Sequence, residues 1–191
     1  VAAGVILIIS GIPLLLSNYI KEKRDVVFSE MNLVLSEINT RDIENVEDMN
    51  EQLIKRWNKT VNWDDVVYVL GDFTFLSQDQ TATICSQLRG KIKLVKGNHD
   101  KRSNQWYRDC GIHEVYDHPI IIHDFIVLSH EPQSFIVNDK GPYINFFGHV
   151  HDSPIFETYG KRHFCACVER HGYKPVEIKY ILDKIGEKGN E

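Results

Sequence analysis

Three short apolar runs, Val66 to Leu70, Ile92 to Val95 and Tyr143 to Phe147, each lead within two residues into a glycine followed by metal-ligating side chains. The sequels are Gly71-Asp72, Gly97-Asn98-His99-Asp100 and Gly148-His149-Val150-His151. Short apolar runs punctuated by glycine read as buried strands of parallel type. In open α/β sheets, ligands gather outside the carboxyl ends of such strands. The pattern therefore constrains the chain to an α/β fold with its polar chemistry collected at one edge of a sheet. An isolated histidine, His130 in Leu128-Ser129-His130-Glu131, follows another apolar run.

The intervening segments support this topology. After a first strand at Val26 to Ser29, Asn45 is placed to cap a helix, with Glu47 and Asp48 at the positive end of its dipole. Val46, Met49, Leu53, Trp57 and Val61 recur at three- and four-residue steps, which predicts an amphipathic helix against the sheet. A second helix is expected around Gln80 to Leu88, stopped by Gly90. Strand, helix, strand, helix, strand implies parallel pairing with right-handed crossovers. Beyond residue 112, Pro119 to Ile122 and Phe125 to Ser129 flank His123-Asp124, a hairpin signal. Strands at Tyr143 to Phe147, Ile155 to Thr158 and His163 to Val168 follow without long helices, so a mainly antiparallel second sheet is expected. Pro175 to Ile185 is expected to close the chain as a helix.

With 191 residues, 42% of them apolar, the chain can build one core. Residues 25–191 read as one catalytic domain, preceded by the apolar segment 1–24. Net charge is −5 and there is no long Lys/Arg run, which argues against broad nucleic-acid binding. Attraction for phosphate must then come from bound cations. Cys85, Cys110, Cys165 and Cys167 form no disulfide framework and point to a reducing, cytoplasmic setting. In a strand, Cys165 and Cys167 share one face and read as small core side chains; a zinc knuckle would need wider spacing and a second pair. Val1 to Ile20 carries no charge and precedes Lys21-Glu22-Lys23-Arg24. Two readings stay open for it: a membrane anchor with the domain on the cytoplasmic side, or a buried or disordered extension.

The ordered set Gly-Asp, Gly-Asn-His-Asp, isolated His and Gly-His-x-His resembles the calcineurin-like metallophosphoesterase family, over roughly Asp25 to the C-terminus. The resemblance implies a four-layer α/β-sandwich of two mixed sheets flanked by helices. It also implies a binuclear centre that hydrolyses a phosphate monoester or diester with activated water. In that family Asp72 would bridge two cations, while Asn98, His130 and His149 would complete one site and His151 would reach the other. His99 would protonate the leaving oxygen or stabilise phosphoryl charge, oriented by Asp100, which is also placed to cap a helix beginning near Arg102. An imidazole suits that task because it titrates near neutrality. Mixed oxygen and nitrogen ligation suits one or two Mn²⁺, Fe or Zn²⁺ ions better than Ca²⁺.

One motif departs from the family. Where its members carry Asp-x-His after the first strand, this chain has Glu30-Met31-Asn32, and Val34-Leu35 stands where small bacterial members continue with Gly-His. Glu30 retains a carboxylate with longer reach and Asn32 retains an oxygen ligand, so the first cation site is expected to be weakened; Glu30 is equally readable as a solvated loop carboxylate. The leading expectation is a metal-dependent phosphoesterase acting on a small phosphoester. The alternative is a weakened or inactive member of the fold that binds a ligand or partner. A purely structural metal site would have no use for His99. His113, His118, His123, His163 and His171 fit no motif and are expected at the surface or at strand edges.

Overall fold

The computed structural model describes residues 25–28, 46–133, 137–138, 141–151, 153–154 and 162–188. The apolar segment 1–24, Glu30, Asn32, the capping Asn45 and the expected strand at 155–158 lie outside the described residues. No helix among the described residues is long and apolar enough to cross a membrane.

The protein is an α/β sandwich of two mixed sheets flanked by helices. In the first half, strands β1 (Asp25–Phe28), β2 (Val66–Val69), β3 (Lys91–Val95) and β4 (Glu114–Tyr116) pair in parallel. They alternate with helices α1 (Val46–Thr60), α2 (Gln78–Cys85) and α3 (Asn104–Asp109). On β2, Val67 and Val69 pack against Leu53 and Trp57 of α1 and Ile84 of α2, whereas Tyr68 and Leu70 point into the core shared with the second sheet. That two-residue alternation lets one strand serve two cores. Trp57 is fully buried, and its indole donates to the Arg89 carbonyl at 2.9 Å, which satisfies its one polar atom. Helix α2 starts at a capping box in which Ser77 and Gln80 exchange hydrogen bonds. Gly90 takes φ +87°, and a Cβ there would lie 2.9 Å from Val61 and 3.0 Å from the Asp65 carbonyl, so the turn into β3 requires glycine.

The second sheet joins β5 (Ile120–Ile122), β6 (Ile126–Ser129), β9 (Ile144–Phe147) and β10 (His163–Cys165) in the order β10-β9-β6-β5. The predicted hairpin is present: β5 pairs antiparallel with β6, and both turn residues, His123 and Asp124, adopt positive φ, as a type I′ turn demands. The expected antiparallel character stops there. β6 pairs in parallel with β9, and β9 in parallel with β10. The segments between these strands are long enough to cross back, one of them carrying the small hairpin of β7 (Val137–Asn138) and β8 (Gly141–Pro142). Parallel return has a consequence: β6 and β9 end at the same sheet edge, so His130 and His149 emerge side by side.

The chain closes differently from the single helix expected over Pro175 to Ile185. A strand β11 (Val176–Glu177) first adds antiparallel to β1, and helix α4 (Ile178–Lys188) follows, burying Ile178 and Ile181 between the sheets. Cys165 at the end of β10 and Cys167 just beyond it pack on Phe147 and Val150, as two core side chains on one face should. None of the four cysteines forms a disulfide.

Candidate metal centre

The strand ends turn sharply. Gly71 has φ +88°, and Asp72, His149 and His151 also take left-handed backbone, with φ of 50°, 68° and 49°. That conformation costs a residue with a Cβ roughly 1–2 kcal/mol, and it recurs at three of the expected ligands. A Cβ at Gly71 would sit 2.2 Å from Nδ1 of His130, and one at Gly97 would sit 2.4 Å from Oδ1 of Asp72. Both glycines are therefore fixed by the close approach of three loops.

His130 is the centre of the arrangement. It is buried, and its Nδ1 lies 2.9 Å from the Leu70 carbonyl, an acceptor that places the proton on Nδ1. Nε2 then presents a lone pair. Around it lie the Asn98 Oδ1 at 2.8 Å, the His149 Nδ1 at 3.0 Å and the Asp72 Oδ2 at 3.5 Å. Amide oxygen, carboxylate oxygen and imidazole nitrogen are all electron-pair donors, and their convergence on another lone pair is what a cation site requires. The ligand atoms of Asp72, His130 and His149 lie within 4.8 Å of one another. Two nitrogens and two oxygens fit a first-row transition ion better than Ca²⁺. The buried Asn145 steadies this loop: its amide donates to the Val127 carbonyl and to Ser129 Oγ, and its oxygen accepts from Gln133 N–H at 2.9 Å.

The sequence makes Asp100 the group expected to orient the His99 imidazole, but its carboxylate is turned to other partners. Its carboxylate accepts the backbone N–H groups of Asp72 at 2.7 Å, Gly97 at 2.9 Å and Phe73 at 3.1 Å, and the Tyr107 hydroxyl at 3.1 Å. A short buried carboxylate between two loops is the acceptor that orphaned N–H groups need. Burial raises the Asp100 pKa above the ordinary value against the lowering by those N–H groups. Burial, and then the Asp100 charge, raises that of Tyr107. Nor does Asp100 cap α3: Ser103 does, accepting Trp106 N–H at 3.2 Å.

His99 is exposed at the rim. Its backbone N–H donates to Oδ1 of Asp72 at 2.9 Å, and its ring packs on Phe75 with centroids 5.3 Å apart. Asp72 thus uses one oxygen to place His99 and turns the other toward His130. His151 stands apart from the cluster of Asp72, His130 and His149. Its Nδ1 lies 2.9 Å from Oε1 of Glu169, a residue that belongs to no recognisable motif. His163 and His171, expected at the surface or at strand edges, are half-buried, with Nε2 on the Gln133 and Cys165 carbonyls at 2.9 and 2.8 Å; the His171 ring stacks on Phe164.

No family model matches this sequence. An uncharacterized protein of Methanocaldococcus jannaschii is 31% identical over 172 residues, covering 86% of this chain and 89% of that protein. A crystal structure of a protein of unknown function from Aquifex aeolicus superposes with a TM-score of 0.66 at 23% identity, over 86% of this chain and 100% of that one, which supports the fold. The crystal structure of the Pseudomonas putida nuclease MPE gives a TM-score of 0.46 at 20% identity, over 66% of this chain and 61% of that one.

Proposed function

We propose that this chain, which belongs to the same family as the uncharacterized Methanocaldococcus jannaschii protein, is a metal-dependent phosphoesterase of calcineurin-like type acting on a small phosphate monoester or diester. The observation that carries the reading is the convergence of Asp72, Asn98 and His149 on the lone pair of His130, with His99 at the rim of the same cluster.

Asp72, Asn98, His130 and His149 would hold a Mn²⁺, Fe or Zn²⁺ ion, and His151 with the Glu30 to Asn32 loop would serve a second. Bound cations would supply Lewis acidity toward the phosphoryl oxygens and activate water. The protein's own part is positioning. The Leu70 carbonyl fixes the His130 tautomer, Asp100 locks the Asp72 and Gly97 loops together, and Asp72 anchors the backbone of His99. The exposed His99 imidazole is then available to deliver a proton to the departing oxygen, while Phe75 limits its swing. Four cysteines outside any disulfide favour a cytoplasmic setting, and the −5 net charge favours small substrates over nucleic acid.

A second reading, a binding module on an inactive phosphoesterase frame, is motivated by Glu30-Met31-Asn32. Mn²⁺-stimulated hydrolysis of bis(p-nitrophenyl) phosphate by the full chain and its Asp72→Asn variant separates the two. The enzyme reading expects turnover that falls by at least on the order of 10²-fold in the variant. Equal background in both would overturn it in favour of the module.

A further inference from the structure

The loop carrying His149 and His151 rests on the 3₁₀ turn Val168–His171. Arg170 donates from Nε to the His151 carbonyl at 2.8 Å and from Nη2 to the Ser153 carbonyl at 2.9 Å, so the loop backbone is held by the guanidinium. Glu169 does something else. Its Oε1 meets the His151 side chain at Nδ1, 2.9 Å away, and its Oε2 is buried without a hydrogen-bond partner.

We propose that Glu169 is a positioning residue for a second cation site built on His151, which rests on the metal-centre reading above. A carboxylate facing Nδ1 keeps the imidazole proton there and makes Nε2 the ligating nitrogen. His149 faces its cluster through Nδ1 instead. The two histidines of Gly148-His149-Val150-His151 thus use opposite nitrogens, which lets side chains two residues apart serve different ions. The left-handed backbone at both, with φ of 68° and 49°, spreads the rings accordingly. Fold stability gives a poor account of the pair. The side chain of His151 is 47% exposed, where such ion pairs contribute little, and Arg170 already fixes the loop. Among the described residues, Glu169 meets the imidazole through one oxygen while its other, buried oxygen has no donor, and a cation on the far side of that ring would balance the carboxylate charge.

Calorimetric titration of the full chain with Mn²⁺ tests this, using Glu169→Ala, Glu169→Gln and His151→Ala, alongside thermal unfolding in chelator. Two binding steps are expected. His151→Ala removes the weaker, Glu169→Ala weakens it roughly 10–100-fold, and Glu169→Gln, which keeps an acceptor for Nδ1–H, restores much of the loss. The tight step and the chelated melting temperature stay at wild-type values. Unchanged titration in Glu169→Ala, a single step in the wild type, or equal weakening of both steps would overturn the role of Glu169 while leaving the first centre standing. No binding by the wild type would remove both proposals together.

Discussion

Asp100 accepts the backbone N–H of Asp72 at 2.7 Å, so the loop after β2 hangs from a carboxylate on the loop after β3. The same group takes Phe73, Gly97 and the Tyr107 hydroxyl, which makes it the joint of the site. Asp100→Asn would turn an amide donor toward backbone donors. Each buried N–H left unsatisfied costs about 1–3 kcal/mol, so urea unfolding should show a loss of at least ~2 kcal/mol. A variant as stable as the wild type would refute the joint.

Gly97→Ala places a methyl group 2.4 Å from Asp72 Oδ1 and 2.8 Å from His130 Cε1. Displacing two ligands at once should weaken Mn²⁺ affinity by more than about tenfold, with a smaller change in folding stability. Titration beside chemical denaturation checks the split; equal affinity would mean that the loops yield without cost.

Phe75→Ala frees one face of the His99 ring, now 5.3 Å from the phenyl centroid. Mn²⁺ binding should be unaltered, because the ring contact of Phe75 is with His99, which is not a proposed ligand, and kcat on a phosphodiester should fall several-fold. A change confined to metal affinity would count against the assignment of His99 to proton delivery.

Asp117 accepts from Asn104 Nδ2 at 2.7 Å and from Lys96 Nζ at 3.0 Å, and these hydrogen bonds, Asn104 first, lower its pKa. A folded-state pKa below the unfolded one stabilises above the ordinary aspartate range and is lost as pH falls through the folded value. Asp117→Asn should therefore melt below wild type at neutral pH, with the gap closing in acid. Exposure keeps the effect under about 1 kcal/mol. A gap that widens on acidification would reverse the sign.

The parts of the fold that could be read from the sequence are those fixed locally. Apolar runs ending in glycine marked β2, β3 and β9, and the His123-Asp124 pair marked the hairpin, because strand ends and tight turns impose residue types at fixed offsets. Asp72, Asn98 and His149 could be named as candidates for the same reason, each lying just after such a run, whereas His130 follows a run without glycine and is singled out by its place in the ordered motif set. What escaped is non-local. The two-residue strand β11 has no periodicity to detect, and β6 with β9 is parallel only because the intervening chain crosses back. The binding of Asp100 to backbone across 28 residues, and the meeting of Glu169 with His151 across 18, leave no motif at either end.

An anomalous difference map from crystals grown with Mn²⁺ shows whether Asp72, Asn98, His130 and His149 share a cation. The expected peak lies roughly 2.0–2.4 Å from His130 Nε2, His149 Nδ1, Asp72 Oδ2 and Asn98 Oδ1. No peak there at saturating Mn²⁺, or a peak only on surface carboxylates, would contradict a shared site.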